Sequence, residues 1–372
     1  MQERQKKLMV LVCVLAGWLG GSGSLRAEVD EATAKRVKEL IAAVEAATKP
    51  IVDLSCRVEV TQSGGTAREY FENRIRMWEI FKKKGQFPED RADKEIAESR
   101  ESLNKPERPE EVIESSKWMM RFDGLFHVIQ KHTYEGGSTI EMAFDGRESR
   151  FYNPKGENGY IQKGALRAGY TPQFGWLVNY EPLAECLARA LRDGNVEIID
   201  EPAQGADKIV KVTVVFQGDR ERGRSPLLAA MFHRWSQTRK EPVRSPPPQE
   251  HRVAAFARIW LNVGKNYLPV KMEWGYPFGK TPAEWVVGST MEIKGHEILP
   301  GVWYPVECRC GGSMIGNLAE GDEPVGKIVA FPSTSIVKVK LRDIAVNQNL
   351  KKEVFTIDYP AGTQLSVMRP AP

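Results

Sequence analysis

The sequence predicts an α+β fold built around one large, strongly curved antiparallel β-sheet. Three observations predict it. Alternating apolar and polar runs recur along most of the chain, Asp-Gly and Gly-Gly pairs punctuate them at hairpin spacing, and helical periodicity is confined to a few short stretches. Ten or eleven strands are expected, and a twisted sheet of that size curls into a partial barrel more readily than it stays flat.

Arg4, Lys6 and Lys7 precede an apolar stretch from Leu8 to Leu19 and a small-residue exit, Ser24-Leu-Arg-Ala27. This is the pattern of a signal peptide over residues 1–27, so export to the periplasm or cell envelope is expected. The apolar stretch falls short of the roughly 20 residues that span a bilayer. Cys13 lies inside it between Val12 and Val14, without the small residue that lipid modification favours, so no lipid anchor is expected. Without residues 1–27 the chain carries 49 basic and 48 acidic residues, a balance with no electrostatic case for nucleic acid.

Residues 28–372 are expected to form a single domain. Glu31 to Thr48 repeats Val37, Leu40, Ile41, Val44 and Ala47 at three- and four-residue steps, which predicts an amphipathic helix stopped by Lys49-Pro50. Leu54 to Gln62 alternates as a first strand. Residues 66–117 form a charged helical insertion with two helical patterns separated at Gly85 to Pro88. Phe71, Ile75, Trp78 and Phe81 share a face of the first pattern, and the second, from Asp90 to Leu103, is polar nearly all round. From Trp118 the chain becomes hairpins, turning at Asp123-Gly124, Gly136-Gly137 and Asp145-Gly146, because these residues tolerate the positive φ angles of tight turns.

Glu181 to Arg192 is a helix candidate, and Ile209 to Phe216 the next strand. Ala254 to Leu261 and Tyr267 to Trp274 form a hairpin, followed by strands at Ser289 to Lys294, Trp303 to Cys310, Lys327 to Phe331 and Ser335 to Leu341. Residues 218–251 interrupt this pattern as a basic, Pro-rich loop. Inside it, Ser225-Pro226 makes a good helix start, and Leu227, Leu228, Met231, Phe232 and Trp235 share one face of a short helix. These five are the candidate ligand-binding residues, as a lid or a membrane-touching element beside arginines.

Other motifs carry less. Gly321 to Ile328 imitates a phosphate-binding loop, but Ile328 replaces the required Ser or Thr and no helix follows, which predicts an acidic hairpin turn. Gly311 to Gly316 imitates a nucleophile elbow around Ser313 with one residue too many, which predicts a loop. Asp123 and Asp145 each precede a turn glycine and read as turn residues. Cys308 and Cys310 share one face of a strand as small core residues, with a disulfide to Cys56 or Cys186 as the alternative; their one-residue spacing is wrong for zinc. No catalytic residue, metal site or cofactor is expected.

The chain ends on alternating Val337-Lys-Val-Lys-Leu341, then Val346-Asn347, then Phe355-Thr-Ile-Asp-Tyr-Pro360-Ala-Gly362-Thr363. That ending, together with the N-terminal helix and the Phe-Asp-Gly hairpins, resembles the outer-membrane lipoprotein carrier (LolA-like) superfamily, best over Leu341 to Leu365. The resemblance implies an incomplete antiparallel β-barrel whose concave face is covered by helices and binds acyl chains. The charged insertion and the basic loop are absent from the small carriers, and no residue is equated with their lid-contacting arginine. The expected function is a non-catalytic exported binding protein that holds a lipid or the acyl chains of a lipoprotein, with at most peripheral membrane contact. The alternative is an envelope sensor or protein-interaction module, with an envelope protein as partner.

Overall fold

The computed structural model describes residues 30–65, 67–122, 124–132, 137, 139–163, 187–188, 191, 196–204, 207–216, 255–276, 285–320 and 323–368. Among the described residues, three helices longer than one turn, α1 (Glu31–Thr48), α2 (Arg68–Lys83) and α3 (Glu89–Asn104), accompany fourteen strands. The strands are β1 (Asp53–Gly64), β2 (Arg108–Arg121), β3 (Phe126–His132), β4 (Thr139–Phe144), β5 (Glu148–Asn153), β6 (Asn158–Lys163), β7 (Val196–Gln204), β8 (Asp207–Phe216), β9 (Ala255–Asn262), β10 (Leu268–Tyr276), β11 (Val286–Leu299), β12 (Val302–Glu320), β13 (Glu323–Val346) and β14 (Gln364–Met368).

All fourteen lie in one open sheet, in the order β14-β6-β5-β4-β3-β2-β1-β13-β12-β11-β10-β9-β8-β7. This is an α+β incomplete barrel, with β14 and β7 as its two edges. Neighbours pair antiparallel except at one edge, where β14 runs parallel to β6, Gln364 opposite Asn158. The strand number exceeds the ten or eleven expected because β6, β7 and β14 carry weak local signals. The runs Lys327 to Phe331 and Ser335 to Leu341 also merge into β13. Prolines within these strands sit at register shifts: Pro269 between β9 and β10, Pro305 between β11 and β12, Pro332 between β12 and β13. A bulge leaves room for a residue without an N–H, so the strand continues through it.

α1 begins where Asp30 caps it, its carboxylate accepting from the Thr33 N–H at 2.8 Å and the Thr33 hydroxyl at 2.7 Å. Those bonds hold the Asp30 carboxyl below its ordinary pKa. The periodic face Val37, Leu40, Val44 is buried in the main core with Leu54, Val58 and Val60 of β1, Ile259 of β9 and Val339 of β13. The helix lies against both β7 and β12, and Arg36 pairs with Asp200 of β7.

α2 and α3 form a hairpin that packs through α2 on β12 and β13. Tyr70 meets Phe331 edge-on at 5.7 Å, and Asn73 donates to the Asn317 carbonyl while accepting from the Ala319 N–H, both at 2.8 Å. Trp78 and Phe81 cluster with Phe87, and Arg91 lies 5.2 Å over Phe87. α3 is less uniformly polar in effect than in composition: Ala92, Ile96 and Ser99 make a narrow buried stripe. The next strand starts at Arg108, ten residues before Trp118, because its first half is a charged and largely exposed ribbon whose alternation is not apolar.

The chain end closes the fold on the other face of the sheet. Asp53, 1% exposed, accepts from the Gln348 N–H at 2.7 Å and the Leu350 N–H at 2.9 Å. Asn347, held at φ 55°, accepts from the Val52 N–H at 2.8 Å and donates to the Pro50 carbonyl at 3.0 Å. The following segment crosses β3 to β6 and buries Phe355 and Ile357. His127 bridges it to the sheet, one ring nitrogen 2.7 Å from the Val354 carbonyl and the other 2.7 Å from Glu141. Arg150 bonds Thr356, and Tyr359 donates to the Tyr160 carbonyl at 3.0 Å. Gly159 makes room for Tyr359, since a Cβ there would lie 2.6 Å from its ring.

Among the described residues, no helix is long and apolar enough to cross a membrane.

Three outcomes are expected. Asp53→Ala strands two buried backbone donors and should lower stability by about 3 kcal/mol, read from the urea midpoint, with Asp53→Asn intermediate. Gly159→Ala should detach the tail without unfolding the sheet, seen as lost hydrogen-exchange protection over 352–368 alone. Burial pushes the Cys56 thiol from 9.0 up to about 12. From about pH 9 upward the unfolded chain therefore releases this proton and the folded chain keeps it, so the contribution present below about pH 9 is lost as pH rises toward about 12. The stability advantage of the wild type over Cys56→Ala should shrink across that window.

Candidate ligand-binding face

Strand alternation sends successive side chains to opposite faces, and the cross-strand registers carry one face across the whole sheet. Tyr160, Phe151, Met142, Val128, Trp118 and Cys56 are consecutive partners from β6 to β1. They form one apolar row about 24 Å wide at the usual strand spacing. Val128 is fully buried, Met142 and Trp118 nearly so, while Phe151 and Tyr160 are half-buried and stacked at 4.8 Å. One step along the strands, Phe144, Phe126, Met120 and Leu54 form a parallel row, with the two Phe rings 6.2 Å apart.

The other half of the sheet repeats the pattern. Ile198, Val212, Ile259, Met272, Met291, Cys310 and Val337 follow one another from β7 to β13. Cys56, Trp118 and Val128 of one half and Val212, Ile259, Met272 and Met291 of the other belong to the same hydrophobic cluster as the apolar side of α1, which identifies this as the helix-covered face. Along β12, Gly316 falls on the same side as Cys308 and Cys310, and Tyr70 of α2 packs over it. The sheet thus presents a broad apolar face with α1 on one part and α2 on another.

The ionisable groups that hold the C-terminal segment lie on the opposite face. His127, Glu141 and Arg150 alternate with Val128, Met142 and Phe151, and serve to hold the C-terminal segment. Asp145 is a turn residue: burial raises its pKa, but the N–H groups of Glu148 and Arg147, each donating at 2.8 Å, hold it below the ordinary value. Ser313 lies within β12 opposite Pro332, where a loop was expected, because the Gly311-Gly312 pair and Pro332 meet at a bulge rather than ending the strands. Glu320 and Glu323 pair across the β12–β13 turn, so the phosphate-loop imitation is a hairpin.

Cys56, Cys308 and Cys310 are free thiols on the apolar face. A hydrogen bond with Cys310 and then burial raise the Cys308 thiol well above its ordinary range. Such thiols behave as small apolar residues rather than nucleophiles. The candidate ligand-binding residues Leu227, Leu228, Met231, Phe232 and Trp235 lie outside the described residues, as do most of Glu181 to Arg192 and the Asp123 turn; Leu187, Ala188 and Leu191 are helical, with Leu187 fully buried. The half-buried Phe126, Phe144, Phe151 and Tyr160 were not singled out from sequence. Alternation placed each on a strand, but which face is covered by helices is decided by tertiary packing.

No family model matches the chain, and no curated protein matches it. Solved structures do align over most of its length, among them the following three. A DUF1329 family protein from Desulfovibrio piger aligns at TM-score 0.39 and 8% identity, covering 87% of this chain and 96% of its own. A LolA superfamily protein from Nitrosomonas europaea aligns at TM-score 0.40 and 12% identity, covering 87% and 99%. The Mycobacterium tuberculosis lipoprotein LppX aligns at TM-score 0.26 and 9% identity, covering 85% and 98%. All three scores lie below 0.5, so the fold rests on the strand order and registers: an open α+β sheet with an apolar, helix-covered face.

Proposed function

We propose that this chain is an exported, non-catalytic binding protein that holds a lipid, or the acyl chains of a lipoprotein, against its helix-covered face. The observation that carries this reading is the continuity of the apolar rows across both halves of the sheet, ending in the half-buried Phe126, Phe144, Phe151 and Tyr160. An acyl chain is long, unbranched and without hydrogen-bonding groups, so a wide face of Val, Met, Leu and aromatic side chains suits it better than a compact polar pocket. Each buried methylene contributes about 0.8 kcal/mol, so about ten give roughly 8 kcal/mol before the cost of association. That gross figure corresponds to a dissociation constant of about 1 μM.

The separation of the two faces supports the same reading. Charged groups that could do acid or base chemistry anchor the C-terminal tail on the back of β3 to β5, while the front of those strands carries the apolar rows. The test is native mass spectrometry of the exported protein purified without detergent, followed by solvent extraction. About one acyl lipid or acylated peptide per chain is expected, and Phe151→Asp should lower its occupancy at least tenfold while leaving far-UV circular dichroism unchanged. A wild-type chain that is empty and also ignores an added fatty-acid probe would overturn the reading in favour of the protein-interaction module.

A further inference from the structure

Resting on that reading, we infer that Trp274 and Ser289 form a polar station within the apolar face that takes the carbonyl oxygen of an acyl ester. Trp274 is 8% exposed, belongs to the core of the helix-covered face, and its indole N–H has no hydrogen-bond partner among the described residues. Trp118, buried on the same face, shows the usual arrangement: its indole N–H donates to Ser116 Oγ at 2.9 Å. A buried donor without an acceptor is costly and rare in folded proteins, so one kept on a ligand-facing surface points to an acceptor that arrives with the ligand.

The surroundings supply the space. Trp274 pairs with Ala257 on one side and Ser289 on the other, and Ser289 pairs with Gly312. The row through the indole is therefore made of small residues, unlike the neighbouring row of Ile259, Met272, Met291 and Cys310. A Cβ added at Gly312 would meet only Ser289 Oγ, at 3.7 Å. The row runs into the β12–β13 bulge, where the register steps from Gly311 to Ser313. On the other side, the register shift after Trp274 brings β10 and β11 so close that a Cβ on Gly275 would lie 1.9 Å from the Val286 carbonyl, which requires glycine there.

An indole N–H and a serine hydroxyl on adjacent strands, with only Ala257 and Gly312 as their outer cross-strand partners, suit one uncharged oxygen acceptor attached to an apolar chain. Ester carbonyls of this kind occur in glycerophospholipids and in the diacylglyceryl group of lipoproteins, and the shared chemistry is what the station recognises. Fatty-acid carboxylates are less suited, because no cation lies in this row of Ala257, Trp274, Ser289 and Gly312.

The experiment compares two neutral probes of equal chain length, monopalmitoylglycerol and its ether analogue 1-O-hexadecylglycerol, on the mature wild type, Trp274→Phe and Ser289→Ala. The wild type should bind the ester about five- to tenfold more tightly than the ether. Trp274→Phe should abolish that preference while keeping ether affinity, and Ser289→Ala should reduce it. An ester-to-ether ratio unchanged in both variants overturns the station but leaves acyl binding standing. If the wild type binds neither probe, acyl binding itself falls and the station with it. Displacement of the ester by a tripalmitoylated lipopeptide or by phosphatidylglycerol vesicles then separates the two natural sources.

Discussion

The fold depends on how Asp53 and Asn347 tie the start of the sheet to its end. β1 sits near the middle of the sheet, between β2 and β13, so the halves on either side meet along one strand. The buried Asp53 carboxylate takes two backbone donors from the segment after β13, and the Asn347 amide takes one donor and one acceptor from the segment before β1. Four bonds thereby fix the turn out of α1, the register of β1 with β13, and the direction in which the tail leaves. A carboxylate with that little exposure is tolerated because its oxygens are satisfied by N–H groups rather than by water.

From that clasp the two faces acquire different work. The tail leaves across the back of β3 to β6, where Phe355, Ile357 and Tyr359 cover the sheet and His127, Glu141 and Arg150 hold them. α1, leaving the same junction in the other direction, covers the front. The back is thus occupied by the chain's own C-terminal segment, with polar anchors that specify its position. The front keeps an apolar surface extending beyond the area that α1 occupies. The same alternation that makes each strand amphipathic provides both, since every residue that anchors the tail sits beside one that lines the front.

The charged insertion is held more lightly. Its helices bury a narrow stripe against each other and an aromatic knot at their turn, and they reach the sheet mainly through Tyr70 and Asn73 of α2. The exposed ion pairs around it, such as Arg68 with Glu72 and Lys105 with Glu101, add little stability individually. Its attachment to β12 and β13, far along the strands from α1, leaves the apolar rows between two helical covers.

Much of this was legible in the sequence where the physics is local. The periodicity of Glu31 to Thr48, the Asp145-Gly146 turn and the Tyr267 to Trp274 alternation depend on neighbours within a few residues, and each is found where those neighbours place it. The strands β6, β7 and β14 were not legible. β14 pairs with a strand some two hundred residues earlier and exposes Leu365 and Val367, so no local apolar pattern marks it. Gly311, Gly312 and Pro332 read as breaks and became a bulge, because their suitability for a strand depends on what lies opposite. The sequence alone determined the type of each locally patterned element and the alternation along those strands. Tertiary structure decided which alternate face became the apolar front, because the helices cover one side and the tail the other. It also decided that Trp274 faces small residues, a property of cross-strand register that no single strand contains.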